Sequence, residues 1–194
     1  MSNPNRTVIL KGVQLSFPSL FSPRAYSLGD EPKYTVTALF AEGSPAHKTI
    51  ATAIAETREE LWGQAVPKLC TSPLKEGDEK IRRARNPDTY AAYEGLLYLQ
   101  VSSKNRVPVI DSDGVTPLDE ETGRDKIYGG AIANVVVNVY SWNHVKHGPQ
   151  TNASLRGVQF VSAGKRIGGG GTIDPRQYFE AVEASAGGDE DDWL

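Results

Sequence analysis

A mainly β fold, a small five-stranded barrel carrying one inserted helix, is what the sequence predicts, and three observations predict it. Five segments are rich in Val, Ile, Leu and aromatic residues at strand-like lengths. Only one segment before residue 170 opens with a helix start signal. Most of the 19 Gly and 12 Pro of the 194 residues fall between these segments and punctuate them as turns. Length and a hydrophobic content of 39% give one domain with a sizeable core as the default. No internal repeat is present.

The elements follow in order. Thr7 to Phe17 reads as a strand closed by Pro18, and Pro18, Pro23, Gly29 and Pro32 mark a loop. Lys33 to Phe40 is a second strand by its β-branched and aromatic content. Ser44-Pro45 opens a helix, with Ser as N-cap and Pro at the first helical position, where its missing N–H costs nothing. Ile50, Ile54 and Leu61 share one face of it, and it ends near Gly63. Residues 64–92 read as irregular and hold the densest basic run, Lys80-Ile81-Arg82-Arg83-Ala84-Arg85. Tyr93 to Ser103 is a third strand, and Asp111-Ser112-Asp113-Gly114 is a turn between short strands. Ala131 to Trp142 is the clearest strand. Leu155 to Ala163 pairs with it across a loop holding His144, His147, Gly148 and Pro149. Gly168 to Gly171 reads as a linker, and Asp174 to Ala184 as a short helix capped by Asp174. The oligonucleotide-binding (OB) fold is an architecture of this kind, a partly open Greek-key barrel.

Two strands alternate in a way that bears on function, because neighbouring side chains of a strand point to opposite faces. Val135, Val137 and Val139 form one face of the fourth strand, and Asn134, Asn138, Tyr140 and Trp142 the other. Leu97, Leu99 and Val101 form the apolar face of the third. Tyr98, Gln100, Ser102 and Lys104 form its polar one. Flat rings with amides and cations suit single-stranded nucleic acid, whose bases stack on aromatics and whose phosphates attract Lys and Arg. The same rings also serve as a barrel rim, ring buried and hydroxyl wet.

Charge divides the chain. Six of its 24 acids fall from Glu180 onward, against none of its 21 Lys and Arg, so residues 1–179 hold 18 acids and a formal charge of +3. The run Asp189-Glu190-Asp191-Asp192, ahead of Trp193 and Leu194, repels itself and is expected to be disordered. A cationic body with an anionic tail fits a protein whose ligand is a polyanion that the tail resembles.

Other chemistries find little support. The single Cys70 excludes an intrachain disulfide and lacks a metal-like partner. No apolar run approaches the ~20 residues of a membrane span, and residues 1–11 lack a signal-peptide core. His144 and His147 stand three apart in a Pro/Gly loop with no carboxylate or Cys close by, which reads as surface rather than a zinc site. Gly164 to Thr172 has a phosphate-loop look without its Gly-Lys-Ser/Thr ending, and reads instead as a basic hairpin. Asp111, Asp113, Asp119, Glu120 and Glu121 could be drawn as a two-metal nuclease centre, but Gly114, Pro117 and Gly123 around them mark an acidic surface loop. No cofactor, metal or catalytic residue is expected.

The order of several short motifs resembles the OB-fold single-stranded DNA-binding proteins of tailed bacteriophages. They are Leu15-Ser16-Phe17-Pro18-Ser19-Leu20-Phe21, Pro32-Lys33-Tyr34, Tyr93-Glu94-Gly95, Ser102-Ser103-Lys104-Asn105-Arg106, Ile127-Tyr128-Gly129-Gly130, Leu155-Arg156-Gly157-Val158-Gln159 and the acidic tail. The resemblance implies a non-enzymatic protein of the infected bacterial cytoplasm. It implies sequence-tolerant binding of single strands in replication and recombination, and a tail that modulates binding and recruits replication partners. Related phage proteins commonly end in an aromatic residue, whereas here Trp193 is penultimate.

The expected division is an OB domain over 1–179 and an acidic tail over 180–194. Tyr98, Tyr140 and Trp142 are the stacking candidates, and Lys33, Lys104, Arg106 and Arg156 the phosphate-contact candidates. Arg82, Arg83 and Arg85 form a second tier on a DNA-contacting loop with Asn86, Pro87 and Tyr90. Tyr34 and Tyr93 are expected on the core side. Asp189, Glu190, Asp191, Asp192, Trp193 and Leu194 are the partner-binding candidates. A homo-oligomer is compatible with the sequence. Two rival functions stand beside this one: an accessory module that binds protein through Trp193-Leu194, and the metal-dependent nuclease above.

Overall fold

The computed structural model describes residues 4–25 and 27–167. The linker, the short helix and the acidic tail expected after Ile167 lie outside the described residues. Seven strands form one sheet: β1 (Asn5–Arg24), β2 (Lys33–Ala41), β3 (Leu74–Glu76), β4 (Leu96–Ser103), β5 (Val109–Ile110), β6 (Ile132–His144) and β7 (Gly148–Ser162). Five of them close a barrel. β1 pairs antiparallel with β2 and β6, β2 with β4, and β6 with β7, while the parallel contact of Ser102 with Ser154 joins β4 to β7. β3 and β5 extend the edges of β4 and β7. Mainly β with a closed five-stranded barrel, this is an OB-type architecture.

The expected alternation holds. Val135, Val137 and Val139 are fully buried and meet Leu10, Leu15, Val36, Leu99, Val101 and Leu155 in one core. Burying each aliphatic side chain is worth about 1.5–3 kcal/mol. Helix α1 (Pro45–Trp62) packs on β1 and β6 through Ala46, Ile50, Ala53 and Ile54. Ser44 caps it, its hydroxyl accepting from the His47 N–H (3.2 Å), and Gly63 ends it at φ 60°. No helix among the described residues is long and apolar enough to cross a membrane.

Three expectations change. The first is the loop expected between Trp142 and Leu155: β6 runs on to His144 and β7 starts at Gly148, so His144, Gly148 and Pro149 are paired strand residues and the turn is only three residues long. β1 does not stop at Pro18. A bulge between Ser16 and Ser19 absorbs the proline, and the strand runs on to Arg24. Residues 64–92 are not irregular throughout. They hold β3, helix α2 (Gly77–Arg83) and a 3-10 segment (Pro87–Tyr93), so β4 begins at Leu96 rather than at Tyr93. Pieces this short have no stability of their own and form because they pack on the barrel. They cover a second, smaller cluster on the barrel's outer face, Leu39, Tyr93 and Tyr98, flanked by Ile81, Tyr90, Leu96 and Ile167.

Candidate nucleic-acid interface

The site is built on the outer face of β2 and β4, the second and third strands of the barrel. With Val36, Ala38, Leu99 and Val101 turned into the core, the opposite side chains pair across the strands on the outside: Leu39 with Tyr98, Thr37 with Gln100, Thr35 with Ser102. The arm made by α2 and the 3-10 segment stands over this face, seated by Asp78, whose Oδ1 accepts from the Gly95 N–H (2.9 Å).

Three cavities of about 570, 410 and 420 Å³ meet at Tyr98 and form one groove. Under the arm it is lined by Lys75, Lys80, Arg83, Arg85 and Tyr90. Toward β1 it is lined by Phe17, Ser19, Arg24 and Tyr93. Toward β7 it is lined by Lys33, Gln100, Ser102, Pro73 and Asn152. Rings run edge to face along it: Phe17 to Tyr90 (5.7 Å between centroids), Tyr90 to Tyr93 (5.3 Å) and Tyr93 to Tyr98 (5.5 Å). The Lys80 ammonium lies 5.0 Å from the Tyr90 ring centroid. Burial pushes the Tyr93 and Tyr98 phenols up from their ordinary value. Tyr93 donates its proton to Ser16 Oγ (3.2 Å).

Six cations line the groove, Arg24, Lys33, Lys75, Lys80, Arg83 and Arg85, against one acid, Glu79. Glu79 is taken up in an ion pair with Arg83 at 2.5 Å. The groove therefore carries a positive field that low-dielectric walls focus.

The structure brings together some of the expected site residues and not others. Tyr98 borders all three cavities but is only 8% exposed, its ring packed in the cluster beneath the arm. Lys33, Arg83 and Arg85 line the groove. Arg82 is exposed on α2 and absent from the lining of these cavities. Lys104 is ion-paired with Glu31 (2.7 Å), and its hydrogen bond holds that carboxyl below the usual range. Arg106 is exposed near Asp119, and Arg156 is exposed on β7. Tyr140 and Trp142 are half-buried on β6. Tyr140 pairs across the strands with Asn152, which lines the groove. In the amide orientation its neighbours select, Asn152 accepts from Trp142 Nε1 (2.9 Å). Tyr34 is half-buried, its strand alternation shared with Val36 and Ala38 of the core. Tyr93 is buried, but outside the barrel core, in the cluster beneath the arm.

Sequence reasoning missed Phe17, Arg24 and Lys75 and gave Lys80 no role of its own. The basic run was the signal for Lys80. Nothing local marked the others, which reach the groove through a bulge and a three-residue strand.

Three of the five acids of the nuclease alternative, Asp111, Asp113 and Asp119, are occupied with holding turns. Asp111 is ion-paired with Lys126, and that hydrogen bond leads the forces lowering its pKa. Asp113 accepts from the Thr116 hydroxyl and from the Val115 and Thr116 N–H groups, which bring it down to about 2. Asp119 caps a short helix α3 (Glu120–Gly123) through a capping box with Thr122. No group of three His, Cys, Asp or Glu among the described residues is placed to hold a metal ion. His144 Nδ1 accepts from the Lys146 and His147 N–H groups (3.0 and 3.2 Å), a loop-shaping role.

Comparisons with known proteins bear on the fold and the family. The family described by the single-stranded DNA-binding protein of Enterobacter phage Enc34 matches residues 6–193. A putative protein p50 of Acyrthosiphon pisum secondary endosymbiont phage 1 is 32% identical over 179 residues, which is 87% of this chain and 90% of that one. Among solved structures, the Enc34 protein in complex with single-stranded DNA superposes with a TM-score of 0.64 at 22% identity, covering 84% of this chain and 89% of that one. The single-stranded DNA binding protein encoded by bacteriophage T7 does so with a TM-score of 0.57 at 16% identity, over 95% and 100%. These structural likenesses are of fold, and the family match covers nearly the whole sequence. The chain belongs to the phage single-stranded DNA-binding protein family typified by that of Enterobacter phage Enc34.

Proposed function

We propose that this protein binds single-stranded DNA without strong sequence preference, laying the strand across β2 and β4 under the arm, in replication and recombination inside the infected bacterial cell. One observation carries the reading: a groove centred on Tyr98, lined by four rings and six cations, over the barrel strands that in OB folds take oligonucleotides. Rings and point charges read no base edge, which is why the binding is tolerant of sequence. The test is a fluorescence titration with a thymine oligonucleotide in the presence of chelator. Tight, metal-independent binding without cleavage supports the proposal. No binding favours an accessory role, and metal-dependent cutting a nuclease.

Tyr98→Ala is expected to weaken binding by about 1–3 kcal/mol, the range for a ring that stacks one base. Tyr140→Ala and Trp142→Ala should do the same where the path continues past Asn152. Each variant is checked for folding by its thermal transition. Unchanged affinity in folded Tyr140 and Trp142 variants would assign those rings to the barrel rim.

The proposal includes a division of labour between residues 1–179 and the acidic segment 180–194, whose residues Asp189 to Asp192 compete with DNA for the groove. Ile167, the last described residue, packs against the Tyr93 and Tyr98 cluster, so the chain departs toward its C-terminus from beside the groove. The eleven residues from Ala184 to Leu194 reach at most about 36 Å, and tethering keeps the acids at high effective concentration. Removing residues after Gly187 should tighten DNA binding severalfold, most at low salt, where charge is least screened. DNA occupancy then frees Trp193 and Leu194 to dock on a replication partner. Equal affinity of the full and shortened chains at low salt would reduce the segment to a solubility role.

A further inference from the structure

Phe17 is the one non-glycine position at positive φ among the described residues, at 45°. The left-handed region is costly for a residue with a bulky side chain. Strain of this kind persists where the surroundings impose it, and it gathers at binding sites. Here a β-bulge imposes it. Ser16 faces Thr37 and Ser19 faces Thr35, so three steps along β1 answer two along β2. Without that extra residue, Phe17 would follow fully buried Leu15 into the barrel core. With it, the ring stands on the outside, 38% exposed, edge-on to Tyr90 and lining the groove. The bulge that absorbs Pro18 thus also delivers the Phe17 ring to the groove instead of the core.

Beyond the bulge the surface continues into a notch of about 290 Å³ that shares Ser19 and Arg24 with the groove and adds Arg124 and Glu120. Neither Arg24 nor Arg124 has an ion-pair partner among the described residues. Glu120 opposes an anion there, and the two guanidiniums outweigh it.

We propose that the β1 bulge is a one-nucleotide subsite at the end of the groove, in which the Phe17 ring stacks a base while Arg24 and Arg124 hold the adjoining phosphate. The inference rests on the reading of the groove as a single-strand path. It adds a place where the strand is gripped after leaving the barrel face.

The experiment uses the full chain and a fluorescent thymine oligonucleotide, with anisotropy titrations at three salt concentrations and a thermal transition for each variant. Phe17→Leu keeps apolar bulk and loses the π-face. Its affinity should fall about 5- to 150-fold, the span of one lost base stack, with the salt slope unchanged. Phe17→Tyr should bind within about twofold of wild type, since it keeps a π-face of the same size. Phe17→Gly removes ring and strain together, and should bind as weakly as Phe17→Leu without melting below it. Arg124→Gln should lower the log–log salt slope by about 0.7, one phosphate contact on a single strand. If wild type does not bind the oligonucleotide, the groove reading fails and the subsite with it. If wild type binds and Phe17→Leu and Arg124→Gln bind equally well, the subsite alone is overturned. A Phe17→Gly variant that binds like wild type would likewise make the ring mere cover for Tyr90.

Discussion

Raising salt from ~50 to ~200 mM should weaken binding of a thymine oligonucleotide by about two orders of magnitude. Each phosphate neutralised on a single strand releases bound counterions and contributes about −0.7 to the log–log slope. Six cations line the groove, but Arg83 is held by Glu79 at 2.5 Å and is discounted. The other five give a slope near −3.5, which over a fourfold salt change is a loss of roughly a hundredfold. Lys80→Gln and Lys75→Gln should each remove about one contact from the slope, whereas Lys104→Gln should move it less, because Lys104 already has Glu31 as partner. A slope shallower than about −1 would mean that the groove does not hold the backbone.

That list of cations differs from the one read along the chain, and the difference has a physical cause. Strand alternation is local, so the buried valines of β6 and the outward Tyr98 of β4 were legible in ten-residue windows. The turn acids were legible too, because Asp113 and Asp119 bond to neighbours within three residues. The ion pair that occupies Lys104 joins it to Glu31, and the barrel closure joins Ser102 to Ser154; no local pattern announces either. The arm was read as irregular because segments of three to seven residues show too little periodicity to count. Phe17 was invisible for a stricter reason: alternation assigns it to the core, and a single inserted residue reverses that assignment.

The arm depends on a glycine, and replacing it should have the largest effect on the site. Gly77 is buried at the start of α2. A methyl group there would overlap the Tyr93 carbonyl oxygen and come within 2.8 Å of the Leu96 carbonyl oxygen. These are backbone atoms, which cannot swing aside as a side chain can. Gly77→Ala therefore forces α2 and the 3-10 segment apart, at a cost of about 1–3 kcal/mol or more for overpacking. The strain falls on the elements that carry Lys80, Arg83, Tyr90 and Tyr93, while the barrel core is a separate cluster that keeps its contacts. The expected result is a folded barrel with a loosened arm: proteolysis gains a cleavage site between residues 77 and 93, and DNA affinity falls further than in Tyr98→Ala, because stacking and charge are lost together. Leu99→Ala, in the barrel core, gives the contrast. It should lower global stability by about 2–5 kcal/mol without singling out the arm for cleavage. If Gly77→Ala kept both full affinity and full protease resistance, the arm would not be the wall that holds the strand on β2 and β4.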